Sequence, residues 1–465
     1  MTASPRTPPP PLAGGAHGAD ALRPLLGTVL DALRTGAAQR RGPLPAGGPD
    51  AVTARVRAAL GDMLPAHGTG DHEALRTLVH TLAAGAADPA EPLCAAHLHC
   101  PPLAVAAAAD LAASTLNPSL DSWDQAPAAS AVEALLTRTL AAEFHPRAPR
   151  PDALVTTGGT EANQLALLLA RERHGPALTV LHGANAHHSV PRAAWLLGLP
   201  PAVPVPTPTG TLHPADLAEA LAATRGPVLV TATAGTTDAG LIDPLPDIAA
   251  LCDRHGSAEL HIDAAYGGLL ALSPRHRAKV TGLDRARSLT VDLHKLGWQP
   301  VAAGLLVVPD TTLLDPLAHQ ADYLNATDDT EAGLPDLLGR SLRTTRRPDA
   351  LKIAATLRSL GRDGLVRLID RTCALAQNLA RLLDAHPRFE IHAAPAISTV
   401  LFRPTHADDE QLAALRRTLL HEGRAVLGRA HADGRLWLKA TLLNPHTTAG
   451  DLDTLVALLE GSTHR

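Results

Sequence analysis

The sequence predicts an α/β fold with a largely parallel β-sheet, on two observations. First, short apolar runs alternate with amphipathic segments from about Ala153 onward, an alternation typical of strands joined by helices. Second, segments such as 161–173 and 216–224 have the apolar spacing of helices that cover a sheet. Seven runs are the predicted strands, at residues 153–156, 178–181, 203–205, 228–231, 260–262, 289–291 and 305–308.

The parts of the chain outside this core differ from it in composition. Residues 1–18 are rich in proline, glycine and alanine, which predicts a disordered leader, and they lack the basic and apolar regions of a secretory signal. Leucines at helical spacing predict that residues 19–100 form a helical N-terminal segment. We assign residues 101–345 to a large, cofactor-binding domain and residues 346–465 to a small C-terminal domain.

The small domain and the segment before it have their own signatures. Strand-like runs at 399–402 and 436–441, with helices between and after them, predict an α+β arrangement. Residues 310–349 have few periodic apolar positions and many Asp, Thr, Gly and Pro residues. That composition predicts a long surface loop, and such loops often form lids over functional sites.

Composition and charge exclude several classes of function. The 465 residues carry 41 Lys and Arg against 46 Asp and Glu, a net charge of −5, which gives no reason to expect nucleic acid or an anionic membrane as a partner. The longest Ala/Leu stretch, residues 103–113, is interrupted by Asp110 and is too short to span a bilayer. The four cysteines show no metal-ligand spacing and are few for so long a chain. We therefore expect a cytoplasmic protein without a metal site.

The strand ends carry the reactive residues, and ligands of parallel sheets sit at the carboxyl ends of the strands. Lys295 follows His294 just after the run at 289–291, and a lysine among apolar residues is suited to Schiff-base formation. Asp263 ends the run at 260–262, where a carboxylate can keep a pyridine nitrogen protonated. The alternatives are a solvated surface lysine and an aspartate that caps a turn. Together the two groups are those that pyridoxal 5'-phosphate (PLP) chemistry needs most.

Two further strand ends suit the other parts of such a cofactor. Gly158, Gly159 and Thr160 join a strand to a helix, where free N–H groups and the helix dipole bind phosphate. An ordinary turn in which Thr160 caps the helix is the alternative. His187 follows the next strand, and its imidazole is suited to stacking on a flat ring. Because the chain has 24 histidines, a polar loop histidine is the alternative there.

Thr236 lies in a turn of small residues after the run at 228–231, where its hydroxyl is available to a ligand. The alternative is a plain Gly/Thr turn closed by Asp243 and Pro244. Each motif taken alone is compatible with ordinary structure. Their order is more specific, because Gly-Gly-Thr, His, Gly-Thr-Thr, Asp and His-Lys follow successive strand ends. We know of no structural reason for that combination, and it therefore predicts a PLP site.

This order of motifs resembles the group II amino-acid decarboxylases, which are fold-type-I (aspartate aminotransferase-like) PLP enzymes. The similarity extends from about Ala95 to Pro445. It implies a mostly parallel seven-stranded sheet in the large domain, a carboxy-lyase activity on an amino acid, and a homodimer with its active site at the interface.

The resemblance also implies roles for individual residues. Lys295 bonds to the cofactor, Asp263 pairs with the pyridine nitrogen, and His187 stacks on the ring; these three are the implied catalytic residues. The other implied contacts are Ala265 on the second face of the ring, Gly158, Gly159, Thr160 and His294 on the phosphate side, and Thr236 near the substrate.

Three stretches narrow the resemblance to the branch of the L-2,4-diaminobutyrate and lysine/ornithine decarboxylases, which includes enzymes of siderophore pathways. They are residues 96–102, 117–125 and 344–347. Within the first, His99, Cys100 and Pro101 are implied to contact the substrate. The implied reaction is α-decarboxylation of a diamino acid. An aliphatic or aromatic substrate, an aminotransferase or decarboxylation-dependent oxidase activity, and a non-catalytic binding role are the alternatives.

One departure from the pattern concerns the proton donor. Aromatic decarboxylases carry a lid tyrosine that is thought to protonate the reaction intermediate. The only tyrosines of this chain are Tyr266 and Tyr323, and Tyr323 lies before the expected tip of the lid. The sequence therefore leaves His187 or a water molecule as the donor.

Overall fold

The computed structural model describes residues 9–462 and is built around a seven-stranded sheet. Its strands are β1 (Asp152–Thr156), β2 (Thr179–Gly183), β3 (Val203–Val205), β4 (Val228–Thr233), β5 (Ala258–Asp263), β6 (Ser288–Asp292) and β7 (Gly304–Val308). They lie in the order β1-β7-β6-β5-β4-β2-β3. β7 runs antiparallel to β1 and β6, and the remaining pairs are parallel. The seven predicted strands and the mostly parallel sheet are confirmed.

The N-terminal segment contains three helices, α1 (Gly18–Arg40), α2 (Gly48–Leu60) and α3 (Asp71–Gly85). α1 packs along α3, and α2 has no buried residue. The predicted helical N-terminal segment is therefore present, as an arm with little core of its own. Of the predicted leader, residues 1–8 lie outside the described residues, and residues 9–17 form turns and bends before α1.

Helices cover the sheet because its strands are apolar on both faces. Every residue of β4 is buried, as expected for a parallel strand between two helical layers. The helices of this region are α4 (Ala104–Leu116), α5 (Pro127–Phe144), α6 (Gly159–His174), α7 (Ser189–Leu196), α8 (Pro214–Ala223), α9 (Leu245–His255) and the single turn α10 (Leu293–Leu296). The connections from β1 to α6 and from β6 to α10 are short, so the residues in them are held at the carboxyl ends of their strands.

The predicted lid contains short helical pieces rather than continuous loop. They are 3-10 turns at Thr311–Leu317 and Leu338–Arg340, with α11 (Thr327–Glu331) between them. No residue of α11 is buried, so the middle of this segment lies on the surface.

The C-terminal part has its own antiparallel sheet. Its elements are α12 (Ala350–Asp384), β8 (Phe389–Ile391), β9 (Thr399–Pro404), α13 (Asp409–His421), β10 (Gly428–Ala432), β11 (Arg435–Thr441) and α14 (Ala449–Ser462). The strand order is β10-β11-β9-β8, which confirms the α+β character of this part. α12 serves both parts, because Ile353 packs in the main core whereas Leu379 packs in the C-terminal core. The domain boundaries at 100/101 and 345/346 stay predictions.

Within residues 9–462, no helix combines the length and apolarity needed to cross a bilayer. The same residues contain no group of three or more His, Cys, Asp or Glu side chains placed to hold a metal ion. All four cysteines are free thiols.

Candidate active site

A cavity of about 250 Å³ lies at the carboxyl ends of β1, β2, β4, β5 and β6. It brings together eight of the residues predicted from the sequence. They are Gly158, Gly159, Thr160, His187, Asp263, Ala265, His294 and Lys295. Leu98, Thr157, Thr233, Gly235, Thr237, Tyr266 and Asp292 complete the lining. The separate motifs therefore form a single site.

Lys295 reaches this cavity from α10 and is not a surface lysine, because its side chain is only 18% exposed. Its Nζ lies 2.8 Å from Oδ2 of Asp292, which is almost completely buried. The other oxygen, Asp292 Oδ1, is buried without a hydrogen-bond partner in the described part of the chain. A buried polar atom of this kind is costly unless a ligand completes it. The sequence analysis assigned no role to Asp292.

His294 lies on the same turn, with Nε2 at 3.5 Å from Asp292 Oδ2. Its Nδ1 lies 3.0 Å from the Ala303 carbonyl oxygen and 3.2 Å from the Ala303 backbone nitrogen. Burial is the main reason that the pKa of His294 is lowered below its ordinary value, and Asp292 opposes that effect. The imidazole of His294 is therefore held on one side by the loop that precedes β7, and on the other side it faces the carboxylate of Asp292.

The turn between β1 and α6 is built for close approach. Gly158 has φ +144°, and a Cβ added there would come within 2.7 Å of His294 Cε1. α6 starts at Gly159 with no side chain capping its first turn. Thr160 is inside the helix rather than at its cap, so the capping alternative for Thr160 is wrong. The uncapped N–H groups and the helix dipole make this end of the cavity suited to an anion.

Asp263 ends β5 and presents a carboxylate to the cavity. Its Oδ2 accepts a hydrogen bond from Asn163 Nδ2 at 2.8 Å, and its Oδ1 accepts one from the Ala265 backbone N–H at 3.1 Å. These two donors fix the orientation of the carboxylate. It is therefore suited to pairing with a positively charged ring nitrogen.

Asn163 is the centre of a buried hydrogen-bond network behind the cavity. It is fully buried, and it bonds to Asp263 and Ser189 through Nδ2 and to Thr290 through Oδ1. Its Oδ1 also accepts from His261 Nε2 at 2.9 Å. Complete burial lowers the pKa of His261 to about 4, so that imidazole is neutral. Sequence reasoning missed Asn163, although a polar amide among the apolar positions of α6 was a usable signal.

His187 follows β2 and lines the cavity. Its Nδ1 lies 2.8 Å from Ser189 Oγ, and its ring centroid lies 4.0 Å from that of His188. Burial lowers the pKa of His187 below its ordinary value, whereas the nearby carboxylate of Asp263 acts in the opposite direction. The imidazole beside the cavity is therefore neutral near pH 7.

The two tyrosines differ from each other. Tyr266 is buried in the cavity wall, and its hydroxyl lies 2.8 Å from Ser398 Oγ and 3.0 Å from Thr399 Oγ1. Burial raises the pKa of Tyr266 to about 12. Its hydroxyl thus ties the site to the C-terminal sheet. Tyr323 is 81% exposed in the lid segment.

Four predicted residues are not among those that line the cavity. Thr236 is buried, and its Oγ1 accepts a hydrogen bond from the Leu241 backbone N–H at 3.0 Å, which closes its own turn. Cys100 lies behind His294, where its thiol donates to the His294 carbonyl at 3.1 Å. Burial raises the pKa of that thiol to about 12. His99 and Pro101 are also outside the lining, whereas the adjacent Leu98 is part of it.

The residues around the cavity fit PLP, which carries an aldehyde, a pyridine nitrogen and a phosphate. Lys295 supplies an amine, Asp263 a fixed carboxylate, and the start of α6 free N–H donors. The close approach of the His294 ring to the turn at Gly158 is possible only because residue 158 lacks a Cβ. The unpartnered Asp292 Oδ1 is a further position that a bound group or its water would complete.

Comparisons with known proteins agree with this site. Residues 63–405 match the model of the pyridoxal-dependent decarboxylase conserved domain. The L-2,4-diaminobutyrate decarboxylase of Rhizobium meliloti (strain 1021) is 42% identical over 411 residues, which cover 83% of this chain and 81% of that protein. The enzyme of the same name from Acinetobacter baumannii is 32% identical over 447 residues, covering 88% of this chain and 87% of that protein.

A solved structure has the same architecture over nearly the whole chain. It is the glutamate decarboxylase domain of diaminobutyrate-pyruvate transaminase and L-2,4-diaminobutyrate decarboxylase from Vibrio parahaemolyticus. The TM-score is 0.86 at 30% sequence identity, with 98% of both chains covered. The match confirms the predicted fold type, carboxy-lyase class and cofactor. The chain therefore belongs to the pyridoxal-dependent decarboxylase family.

Proposed function

We propose that this enzyme removes the α-carboxylate of a diamino acid, with L-2,4-diaminobutyrate as the first choice and ornithine or lysine as the next. The observation that carries the proposal is the 42% identity to a diaminobutyrate decarboxylase across 83% of the chain. The clustering of Lys295, Asp263 and the uncapped start of α6 in one cavity supports the same reaction type.

We assign the cofactor contacts from the cavity lining. Lys295 is the residue that attaches PLP, and Asp292 keeps its Nζ inside the cavity until it does so. Gly158, Gly159, Thr160 and His294 hold the phosphate side, where the helix start attracts an anion. We assign His187 and Ala265 to the two faces of the cofactor ring. When bound, the cofactor takes up the electron pair of the breaking carbon–carboxylate bond.

Asp263 keeps that electron sink effective. A carboxylate that is fixed by Asn163 and the Ala265 N–H cannot turn away from the ring nitrogen, so the nitrogen stays protonated. Tyr266 acts differently, because its hydroxyl is bonded to Ser398 and Thr399 and its pKa is raised by burial. We therefore propose His187, or a water molecule that it holds, as the donor of the proton that replaces the carboxylate.

The proposed substrate contacts need separate tests. Thr236, His99, Cys100 and Pro101 are proposed from the resemblance, and they lie beside or behind the cavity lining. Leu98 and Thr237, their neighbours, line it directly. We therefore expect the first group to shape the substrate site through these neighbours.

We also propose a homodimer with the active site at its interface. Helices α1 and α3 of the N-terminal arm leave four leucines exposed, which are Leu30 at 66%, Leu33 at 46%, Leu78 at 44% and Leu82 at 74%. α1 and α3 pack mainly on each other, so a second subunit is a natural cover for this apolar surface. The four free thiols support a cytoplasmic location, and the resemblance to the diaminobutyrate branch is the basis for proposing a role in siderophore or related diamine synthesis.

One assay tests the proposed function. The purified protein is incubated with PLP and each of diaminobutyrate, ornithine, lysine, glutamate and an aromatic amino acid, and the products are identified by mass spectrometry. We expect the diamine and CO2 from one of the first three. A keto acid or aldehyde as product, or an amine from another substrate alone, would contradict the proposal.

A further inference from the structure

The buried network behind the cavity determines the orientation of the Asn163 amide. An ionised carboxylate accepts hydrogen bonds only, so the group facing Asp263 Oδ2 at 2.8 Å must be the amide nitrogen. The amide oxygen then faces Thr290 Oγ1 at 2.7 Å and His261 Nε2 at 2.9 Å, both of which donate. The second amide hydrogen goes to Ser189 Oγ at 2.8 Å. All four hydrogen-bonding positions of Asn163 are used, so the amide has one orientation.

The orientation of Asn163 fixes the hydroxyl of Ser189. Because Ser189 Oγ already accepts from Asn163, its single hydrogen is free for His187 Nδ1 at 2.8 Å. The backbone N–H of Ser189 approaches the same nitrogen at 3.3 Å. Two donors on Nδ1 require a lone pair there. The one proton of the neutral imidazole is therefore on Nε2.

We propose that Asn163 and Ser189 are positioning residues that hold His187 as the neutral imidazole with its proton on Nε2, and that couple it to the carboxylate of Asp263. This inference rests on the proposed function of the cavity. A neutral ring adds no positive charge beside the cofactor. A proton on Nε2 is on the nitrogen that the network leaves unbonded, where it can be donated in a hydrogen bond to a substrate group or to a water molecule that delivers the proton.

The charged and titratable groups around His187 agree with this arrangement. They are Asp263, His188, Lys295 and Asp292. Burial is the strongest influence on the pKa of His187 and lowers it; His188 and Lys295 act in the same direction, and the two carboxylates oppose them. Neither carboxylate is hydrogen-bonded to the ring. The two donors from Ser189 are therefore the specific contacts that select the neutral form.

The test uses the holoenzyme and Ser189→Ala, which removes one donor to Nδ1. The neutral form then loses stabilisation, so the pKa of His187 rises, by about half to one pH unit for one hydrogen bond. The measurement is the pH dependence of the visible absorbance of the bound cofactor, together with ¹⁵N NMR of labelled histidine, in which His187 is assigned by its absence in His187→Gln. We expect a higher midpoint and a partly protonated Nδ1 in the variant.

Three companion variants make the result specific. Ser189→Thr keeps a hydroxyl and is expected to keep the wild-type midpoint. Ser288→Ala removes a hydroxyl from the same network on the His261 branch, at 2.8 Å from His261 Nδ1, and is expected to leave the His187 midpoint unchanged. Asn163→Ala frees both Ser189 and Asp263, so we expect the same upward shift and a cofactor affinity about three- to tenfold weaker.

Several outcomes would overturn the proposal. They are a proton on Nδ1 of His187 in the wild type, a midpoint unchanged or lowered in both Ser189→Ala and Asn163→Ala, and equal shifts in Ser189→Ala and Ser288→Ala. Circular dichroism checks that each variant is folded. If Ser189→Ala does not fold, the midpoint measured for Asn163→Ala tests the proposal in its place. The proposed function fails by a separate result, namely decarboxylation or cofactor attachment that persists without Lys295.

Discussion

Two ion pairs among residues 9–462 differ in how completely their carboxylate oxygens are used. Arg346 and Glu133 form a bidentate pair with both N–O distances at 2.9 Å, between a loop and α5, and neither side chain is more than 6% exposed. Lys295 and Asp292 form a single contact of 2.8 Å at the edge of a cavity, and Asp292 Oδ1 has no hydrogen-bond partner in the described residues. The first arrangement suits stability. The second leaves bonding capacity for a ligand.

Burial of charge alone therefore does not identify a functional site. A charge whose partner uses both oxygens is costly to disturb and has little left to offer a substrate. A buried carboxylate with a spare oxygen, next to a lysine and a helix start, is incomplete until something binds. Each prediction below therefore pairs a change in the cavity with a change in the body of the protein or with a matched position.

The largest effect is expected from Lys295→Ala. The account predicts a fall in kcat of about a thousand-fold or more, because no other group in the cavity can attach the cofactor. The free energy of unfolding should change less than in the next variant, since Asp292 lines a cavity that water can enter once the lysine side chain is removed. Steady-state kinetics and urea denaturation measure the two quantities. Activity close to the wild type would show that Lys295 is not the group that attaches the cofactor.

Arg346→Met tests the other pair. Glu133 is left as an unpaired buried charge, and this should lower the free energy of unfolding by about 3–5 kcal/mol. A double variant that also carries Glu133→Met should recover most of the loss, because no charge is then buried. Urea denaturation measures the stability. Equal stability of the single and double variants would show that the pair is not the source of the effect.

Acid should destabilise the protein through its neutral buried histidines. The pKa of His261 is lowered to about 4 by burial, so the unfolded chain binds its proton more readily than the folded one. Its contribution to stability is present above its ordinary pKa of 6.5 and is lost as the pH falls toward 4, about 3 kcal/mol for this residue alone. Urea denaturation at several pH values checks this. His261→Gln should flatten the dependence, and His67→Gln, at an exposed position, should leave it unchanged.

Asp263→Asn keeps the shape of the side chain but removes the charge that keeps the ring nitrogen protonated. We expect kcat to fall about a hundredfold and the absorbance of the bound cofactor to change. Asp243→Asn is the matched control, because Asp243 is also a buried aspartate, just before α9, that accepts hydrogen bonds from backbone N–H groups, those of Leu212 and Thr233. It should lose stability but not kcat. Similar kinetic losses in both variants would argue against a special role for Asp263.

The smallest effect is expected from glycines at the two ends of α6. Gly158→Ala brings a Cβ within 2.7 Å of His294, and should weaken PLP binding about tenfold. Gly175 also has a positive φ, which disfavours alanine, but a Cβ added there would meet no atom within 4 Å. Gly175→Ala should therefore cost about 1–2 kcal/mol of stability and leave PLP binding unchanged. A fluorescence titration with PLP compares the two. Equal affinities would show that the approach of Gly158 to His294 does not shape the site.

The sequence predicted the parts of the site that depend on local structure. Asp263 ends a strand, and Gly158, His187 and Lys295 come within four residues of the end of one. The carboxyl ends of neighbouring strands meet at one edge of a sheet. The seven strands were predictable for the same reason, because each is a short apolar run bounded by a change in pattern.

The rest depends on contacts between distant segments. Asn163 reaches Ser189 across 26 residues and Asp263 across 100, and neither separation leaves a mark in a single sequence. The orientation of a side chain within a turn was equally hidden, since Thr236 bonds to its own turn while its neighbours line the cavity. Cys100 was placed near the site, but its thiol bonds to the backbone behind His294.

The central claim is that Lys295 attaches the cofactor, and the composition of the chain makes it directly testable. The chain has four lysines, Lys279, Lys295, Lys352 and Lys439. Only Lys295 lines the cavity; Lys352 is fully buried beside Asp349, and the Nζ atoms of Lys279 and Lys439 donate to backbone carbonyls. The holoenzyme is reduced with borohydride, digested and analysed by mass spectrometry. We expect a pyridoxyl group on Lys295 alone. The same group on any of the other three lysines in place of Lys295 would contradict the claim that Lys295 attaches the cofactor.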